Sequence, residues 1–130
     1  MLSKRLIGHI RKVCEENQYR VHRRHRHFSF VCERSNIVAV GYAQKDKTHT
    51  RAERWFRYNS IHSEFDALRQ MMSSSRTLTG LYLVNVRLNA QGNFVLSRPC
   101  TCCTRMLREL GIGVVYYSCK DGTFRKMNFE

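Results

Sequence analysis

An α/β domain built around a mixed sheet is the fold class this sequence predicts, and three observations predict it. Short β-rich runs alternate with amphipathic helical stretches along the 130 residues. A hairpin signal, Ser35-Asn36, separates the first two runs and calls for antiparallel pairing. A whole helical stretch separates the fourth run from the fifth, and a connection of that length is what a right-handed parallel crossover needs.

Leu2, Leu6, Ile7, Ile10 and Val13 recur at helical spacing and predict a first amphipathic helix. A dense basic segment over 19–27 leads to two strands over 28–34 and 37–43. Residues 44–61 are polar, carry aromatics only at Trp55, Phe56 and Tyr58, and read as a long loop. A second helix is expected over 62–72, where Phe65, Leu68, Met71 and Met72 fall at i, i+3, i+6 and i+7 and anchor it to a core. A third strand over 81–88, a turn at Asn89-Ala90-Gln91-Gly92 and a short fourth strand over 94–96 deliver Pro99 and a group of thiols. Leu107 and Leu110 continue the buried stripe of a third helix, and Gly111 is its natural stop. Residues 113–118 form the fifth strand, Lys120-Asp121-Gly122 a turn, and 123–129 a short closing strand or tail. The expectation is a single domain over 1–130, divided into a basic N-terminal helix and segment (1–27), a core (28–118) and a C-terminal hairpin or tail (119–130).

Composition narrows the class. A chain with 42% hydrophobic residues supports one modest core. No run approaches the apolar length of a membrane span and the N-terminus lacks the apolar stretch of a signal peptide, so no membrane partner is expected. The acid-free basic stretch 1–12 fits an ordinary amphipathic helix better than a mitochondrial targeting segment. The expected location is intracellular and cytoplasmic, with a nuclear or host-cell location as the alternative. Six cysteines in such a chain argue for thiols and metal rather than a disulfide framework, with Cys14, Cys32 and Cys119 as small core residues. Twenty-three Lys and Arg against ten Asp and Glu give a net charge of +13, a field that attracts polyanions.

The residues that carry chemistry are His62-Ser63-Glu64 and Pro99-Cys100-Thr101-Cys102-Cys103, which read as H-x-E followed by P-C-x-x-C. One imidazole and two thiolates make a three-ligand zinc site whose fourth place is left to water, and a carboxylate that is not a ligand moves protons. Residues 62 and 64 lie about 200° apart on a helix, so they meet one ion only at a helix start. Cys100 and Cys103, three apart, share a helix face, and Pro99 suits the approach to a helix N-terminus whose positive end holds thiolates ionised. A lone P-C-x-x-C also fits a redox motif, half a zinc knuckle or buried thiols. Cys102 is an alternative partner for Cys100, although a two-residue offset points side chains apart on a helix. The reading is therefore Zn²⁺ on His62, Cys100 and Cys103, with Glu64 as the catalytic proton carrier.

On these motifs the chain resembles the cytidine deaminase superfamily over about 28–118. The segment His62-Ser63-Glu64-Phe65-Asp66-Ala67-Leu68-Arg69-Gln70 is similar to the zinc helix of bacterial tRNA adenosine deaminases. Arg98-Pro99-Cys100-Thr101-Cys102-Cys103, with Leu107 and the run from Gly111 to Tyr117, resembles the second motif of the deoxycytidylate and tRNA branches. The resemblance implies a three-layer fold: a five-stranded mixed sheet with helices on both faces, its fourth and fifth strands parallel. Those branches usually carry an asparagine after the second strand to hold the sugar. Residues 41–45 offer none, and Gln44 and Asn59 are the candidates to take its place.

Charge and motif together favour cytosine-to-uracil deamination in single-stranded nucleic acid. Arg23, Arg24 and Arg26 in the basic segment, and Arg51, Arg54, Trp55 and Arg57 in the long loop, mix phosphate pairing with base stacking. Arg98 precedes the ligands as a further phosphate contact. Asn59, Ser97 and Pro99 are expected to line the substrate pocket. The alternatives are a deoxycytidylate or cytidine deaminase acting on free nucleotides, a tRNA adenosine deaminase, and a non-catalytic nucleic-acid-binding module. The sequence leaves the oligomeric state open.

Overall fold

A computed structural model describes residues 2–21, 26–45, 50–56, 60–72 and 78–129. Among these described residues three α-helices, α1 (Lys4–Glu16), α2 (Ser63–Met72) and α3 (Thr101–Leu110), accompany eight strands. These are β1 (His27–Glu33), β2 (Asn36–Tyr42), β3 (Gln44–Lys45), β4 (Ser60–Ile61), β5 (Leu81–Leu88), β6 (Phe94–Val95), β7 (Val114–Ser118) and β8 (Phe124–Asn128). The main sheet runs β2-β1-β5-β7-β8, with β6 added to β5, and β3 pairs β4 separately.

Period-two alternation along the central strands divides the interior into two cores. Phe28, Phe30 and Cys32 of β1 and Val84, Val86 and Leu88 of β5 point to one face, where Leu6, Ile10 and Cys14 of α1 cover them. Val31 and Leu83 point to the other face and meet Phe65 and Leu68 of α2 and Cys103, Met106 and Leu107 of α3. The result is the helix-sheet-helix layering the sequence predicts. The main sheet has six strands rather than five, because the closing segment is a full strand paired antiparallel with β7.

One expected pairing is corrected. The parallel partner of β7 is β5, in register Leu83↔Val115 to Asn85↔Tyr117, and not the short fourth run. Phe94–Val95 instead folds back antiparallel on Arg87 and Leu88. The reason is local: the turn at residues 89–93 makes a hairpin on the end of β5, and the crossover through α3 then returns the chain to the body of that same strand. The long loop also contains structure that its polar composition conceals, a 3-10 turn (Thr50–Arg54) and the two-residue β4.

Local chemistry explains the helix ends. Ser3 caps α1 by accepting from Leu6 N–H at 3.1 Å. Gly111 ends α3 in the left-handed conformation, φ 86°, with Ile112 N–H bonding back to Leu107 O at 3.0 Å. Helix α2 lies against β2 with almost no clearance. A Cβ placed on Gly41 would stand 2.2 Å from Ser63 O and 2.3 Å from Ala67 N, so only glycine lets the two backbones approach. Asp66, buried, accepts from Tyr42 N–H at 2.8 Å and from Arg69 at 2.7 Å, which latches the helix in place. Among the described residues no helix is long and apolar enough to cross a membrane.

Candidate metal centre and active site

The site sits where the N-termini of α2 and α3 meet the C-terminal ends of the paired strands β5 and β7. His62 immediately precedes α2, and its carbonyl accepts the Asp66 N–H at 3.0 Å, so the imidazole is held at the head of the helix. The Phe56 ring stacks on it at 4.4 Å between centroids, 34° off parallel. Cys100 is the N-cap of α3, its sulfur accepting from Cys103 N–H at 3.4 Å. His62 Nδ1 stands 3.7 Å from Cys100 Sγ and 3.4 Å from Cys103 Sγ.

These separations fit zinc. Bonds of about 2.3 Å to sulfur and about 2.0 Å to nitrogen at tetrahedral angles put the donors about 3.6 Å apart. All three donor atoms lie within 4.8 Å of one another, and among the described residues they are the group of three His, Cys or acidic side chains that converges in this way. Of the three thiols at the head of α3, Cys102 stays outside this group and packs toward the core between α2 and α3. Proton sharing already polarises the pair. A hydrogen bond from Cys103 pulls the Cys100 thiol down to about 4, and the same contact, with burial, holds Cys103 well above its ordinary value. The hydrogen bond to Cys100 also raises His62. Cys14 and Cys32, by contrast, are pushed by burial up to about 12, as inert core thiols should be.

Glu64, in the first turn of α2, is held from both sides. Its Oε1 accepts from the Ser63 hydroxyl at 3.1 Å and its Oε2 from Asn85 Nδ2 at 3.0 Å. The Ser29 hydroxyl lies between, 2.8 Å from Ser63 Oγ and 2.7 Å from Asn85 Oδ1. Ser97 joins the strand ends: its hydroxyl donates to Asn85 O at 2.8 Å and its N–H to Ser118 O at 3.0 Å. A cavity of about 310 Å³ opens over this floor, lined by His62, Glu64 and Cys100 together with Ser97, Gln44, His27 and Arg98.

The expected pocket and surface residues divide. Ser97 lines the cavity, and Gln44, one candidate for the sugar contact, does too. Pro99 is buried just ahead of α3 and does not line the cavity. Arg98 is exposed and lines the cavity. Arg26 donates to Asn89 O at 2.9 Å, tying the strand entry to the hairpin turn. Trp55 is corrected from base-stacking platform to core anchor. It is only 6% exposed, packs on Phe65 and donates its indole N–H to Glu109 at 2.6 Å, so its ring is covered. Arg54 pairs with the same Glu109 at 3.3 Å, and Arg51 lines a groove with Arg54, Trp55 and Glu109 that shares no residue with the cavity. Arg23, Arg24, Arg57 and Asn59 lie outside the described residues. Sequence reasoning missed Ser29, Asn85 and His27. The first two carried a signal, polar side chains interrupting the apolar runs Phe28-Ser29-Phe30 and Val84-Asn85-Val86.

A family model for the cytidine and deoxycytidylate deaminase zinc-binding region matches residues 6–119. The chain belongs to this family. Its members are zinc-dependent hydrolytic deaminases, and the His-Cys-Cys cluster fits the metal. The match begins in α1, earlier than the motif resemblance alone reaches. Two solved structures of the dCMP deaminase from the cyanophage S-TIM5 share the fold. The apo form has 22% identity and a TM-score of 0.61, with 93% of this chain and 89% of that chain covered. The complex with dCMP and dUMP has 19% identity and a TM-score of 0.62, covering 92% and 85%. No curated protein matches the chain in sequence.

Proposed function

We propose that this deaminase converts cytosine to uracil in a free deoxycytidine nucleotide, with His62, Cys100 and Cys103 as the zinc ligands and Glu64 as the proton carrier. The observation that carries the reading is the cavity. At about 310 Å³ it falls at the small end of ligand sites, about the scale of a single nucleotide. The cyanophage enzyme, whose complex holds dCMP and dUMP, is similar over nearly the whole of both chains and supports the same choice.

When bound, zinc lowers the pKa of a water toward neutrality and so makes a nucleophile available without strong base. Glu64 takes the proton from the attacking water and gives it to the ring nitrogen beside the amino-bearing carbon. As the carbon–nitrogen bond breaks, the same carboxylate takes the second proton, from the newly added hydroxyl, and passes it to the leaving amino group. Water is consumed, ammonia departs, and the ring keeps the carbonyl of uracil. Gln44, His27 and Arg98 are the polar side chains on the cavity wall that can meet the sugar and phosphate.

Deamination in single-stranded nucleic acid is the second reading, favoured by the net charge of +13. Incubation of the zinc-loaded protein with dCMP, cytidine, a single-stranded oligonucleotide and a tRNA, followed by chromatography of the products, decides between them. Conversion of dCMP to dUMP is expected. Conversion of the oligonucleotide alone would replace the proposal with the second reading, and inosine formed in a tRNA substrate would move the chain to the adenosine branch.

A further inference from the structure

We infer that Ser29, Ser63 and Asn85 are positioning residues, a side-chain cradle that fixes the Glu64 carboxyl in the orientation proton transfer requires. This rests on the reading of Glu64 as the proton carrier. Ser29, Ser63 and Asn85 are 0%, 2% and 3% exposed, and the carboxyl they surround belongs to a residue only 6% exposed.

Alternation along β1 and β5 reserves the positions of Ser29 and Asn85 for the face covered by α2 and α3, which is otherwise apolar. They are direct cross-strand partners in the β1 and β5 ladder, so one rigid pair of strands sets the distance between them. Polar groups buried in this way are costly unless bonded, and here each is bonded to another and the chain of contacts ends on Glu64.

The geometry constrains the carboxyl in a specific way. Ser63 holds one oxygen and Asn85 the other, from two different elements, which fixes the plane of the group as well as its position. Each carboxylate oxygen has lone-pair capacity for a hydrogen bond beyond the one to its cradle partner. Asn85 is itself held by its neighbours, since its own carbonyl accepts the Ser97 hydroxyl and its amide also reaches Ser97 O at 3.4 Å. The cradle therefore joins the carboxyl to the cavity floor through residues on α2, β1 and β5, the rigid placement that precise proton transfer needs. Sulfur and imidazole donors are not part of it, so removing a cradle residue leaves the ligand set intact.

The test uses zinc-loaded Asn85→Leu, Ser63→Ala and Ser63→Thr, measured for zinc content, for kcat and KM on the substrate that the incubation proposed above identifies, and by crystallography. The expected result is full zinc content, unchanged KM and a kcat lowered roughly 10- to 100-fold in Asn85→Leu and Ser63→Ala, with most of the loss recovered in Ser63→Thr. The Glu64 carboxyl should be turned from its wild-type orientation in the Asn85→Leu and Ser63→Ala crystals. A raised KM at constant kcat, a kcat loss matched by zinc loss, or a carboxyl that stays in place would each overturn the proposal. If Asn85→Leu fails to fold, Ser63→Ala, on a helix first turn, decides between the same outcomes. Should the wild type deaminate nothing, the reading of the reaction fails separately, and the carboxyl orientation in the variant crystals still decides whether the cradle exists.

Discussion

Two protons and one carboxyl govern the chemistry of individual residues here. Cys103 holds its proton tightly because it donates to Cys100 under burial, and His62 is raised by its own bond to Cys100. Both protons must leave before the nitrogen and both sulfurs can bind a cation, so zinc affinity should rise with pH. A chelator competition between about pH 6 and about pH 8 should show tighter binding at the upper end, and a flat profile would contradict the assignment of these donors. Glu64 is different in kind, because it is not needed to hold metal. Glu64→Gln should keep stoichiometric zinc and lose turnover by on the order of 10²- to 10⁴-fold, the usual span for a removed proton carrier. The convergence of Cys100 and Cys103 was legible from spacing, since residues three apart at a helix start share a face, and His62 joined them through the pairing of two motifs, each at the head of a helix. The Asn85 contact to Glu64, and Ser29 behind it, were not, because strand pairing between residues far apart in the chain brings those two together beneath the carboxyl. Spacing says nothing about that register.

At the scale of the element, α2 approaches β2 so closely that Gly41 has no room for a side chain. Gly41→Ala would drive a methyl into Ser63 O and Ala67 N, both backbone atoms that no rotamer change can clear. We expect a loss of roughly 3 kcal/mol, the upper range for overpacking, seen as a lowered thermal midpoint. Activity should fall with it, since His62 and Glu64 ride on the displaced helix. A variant as stable as the wild type would show that the helix can shift freely. The amphipathic pattern of all three helices and the glycine stop of α3 were readable because they are local. The parallel partner of β7 was not, because the hairpin over β6 imitates an independent strand in sequence while belonging to the end of β5. Trp55 shows the same limit: an aromatic among arginines has one appearance in sequence whether it faces a base or, as here, Phe65.

For the whole molecule, the dominant property is its excess of positive charge, +13 over 130 residues. Such a field gathers anions before any specific contact forms and weakens as salt shortens the screening length to about 8 Å at physiological strength. With dCMP, kcat/KM should therefore fall as salt is raised, whereas with neutral deoxycytidine it should change little. Equal salt responses would mean that the charge plays no part in substrate capture. The three layers also separate duties: the α1 face contributes packing, and the α2 and α3 face carries the reactive groups. Finally, the strand that bears Asn85 folds back on itself in the β6 hairpin and returns at Ser97, beside the point of departure. A peptide tag or fluorophore grafted at the exposed Gln91 would hang outward from a closed detour, giving an attachment point for immobilising the enzyme with its catalytic chamber undisturbed.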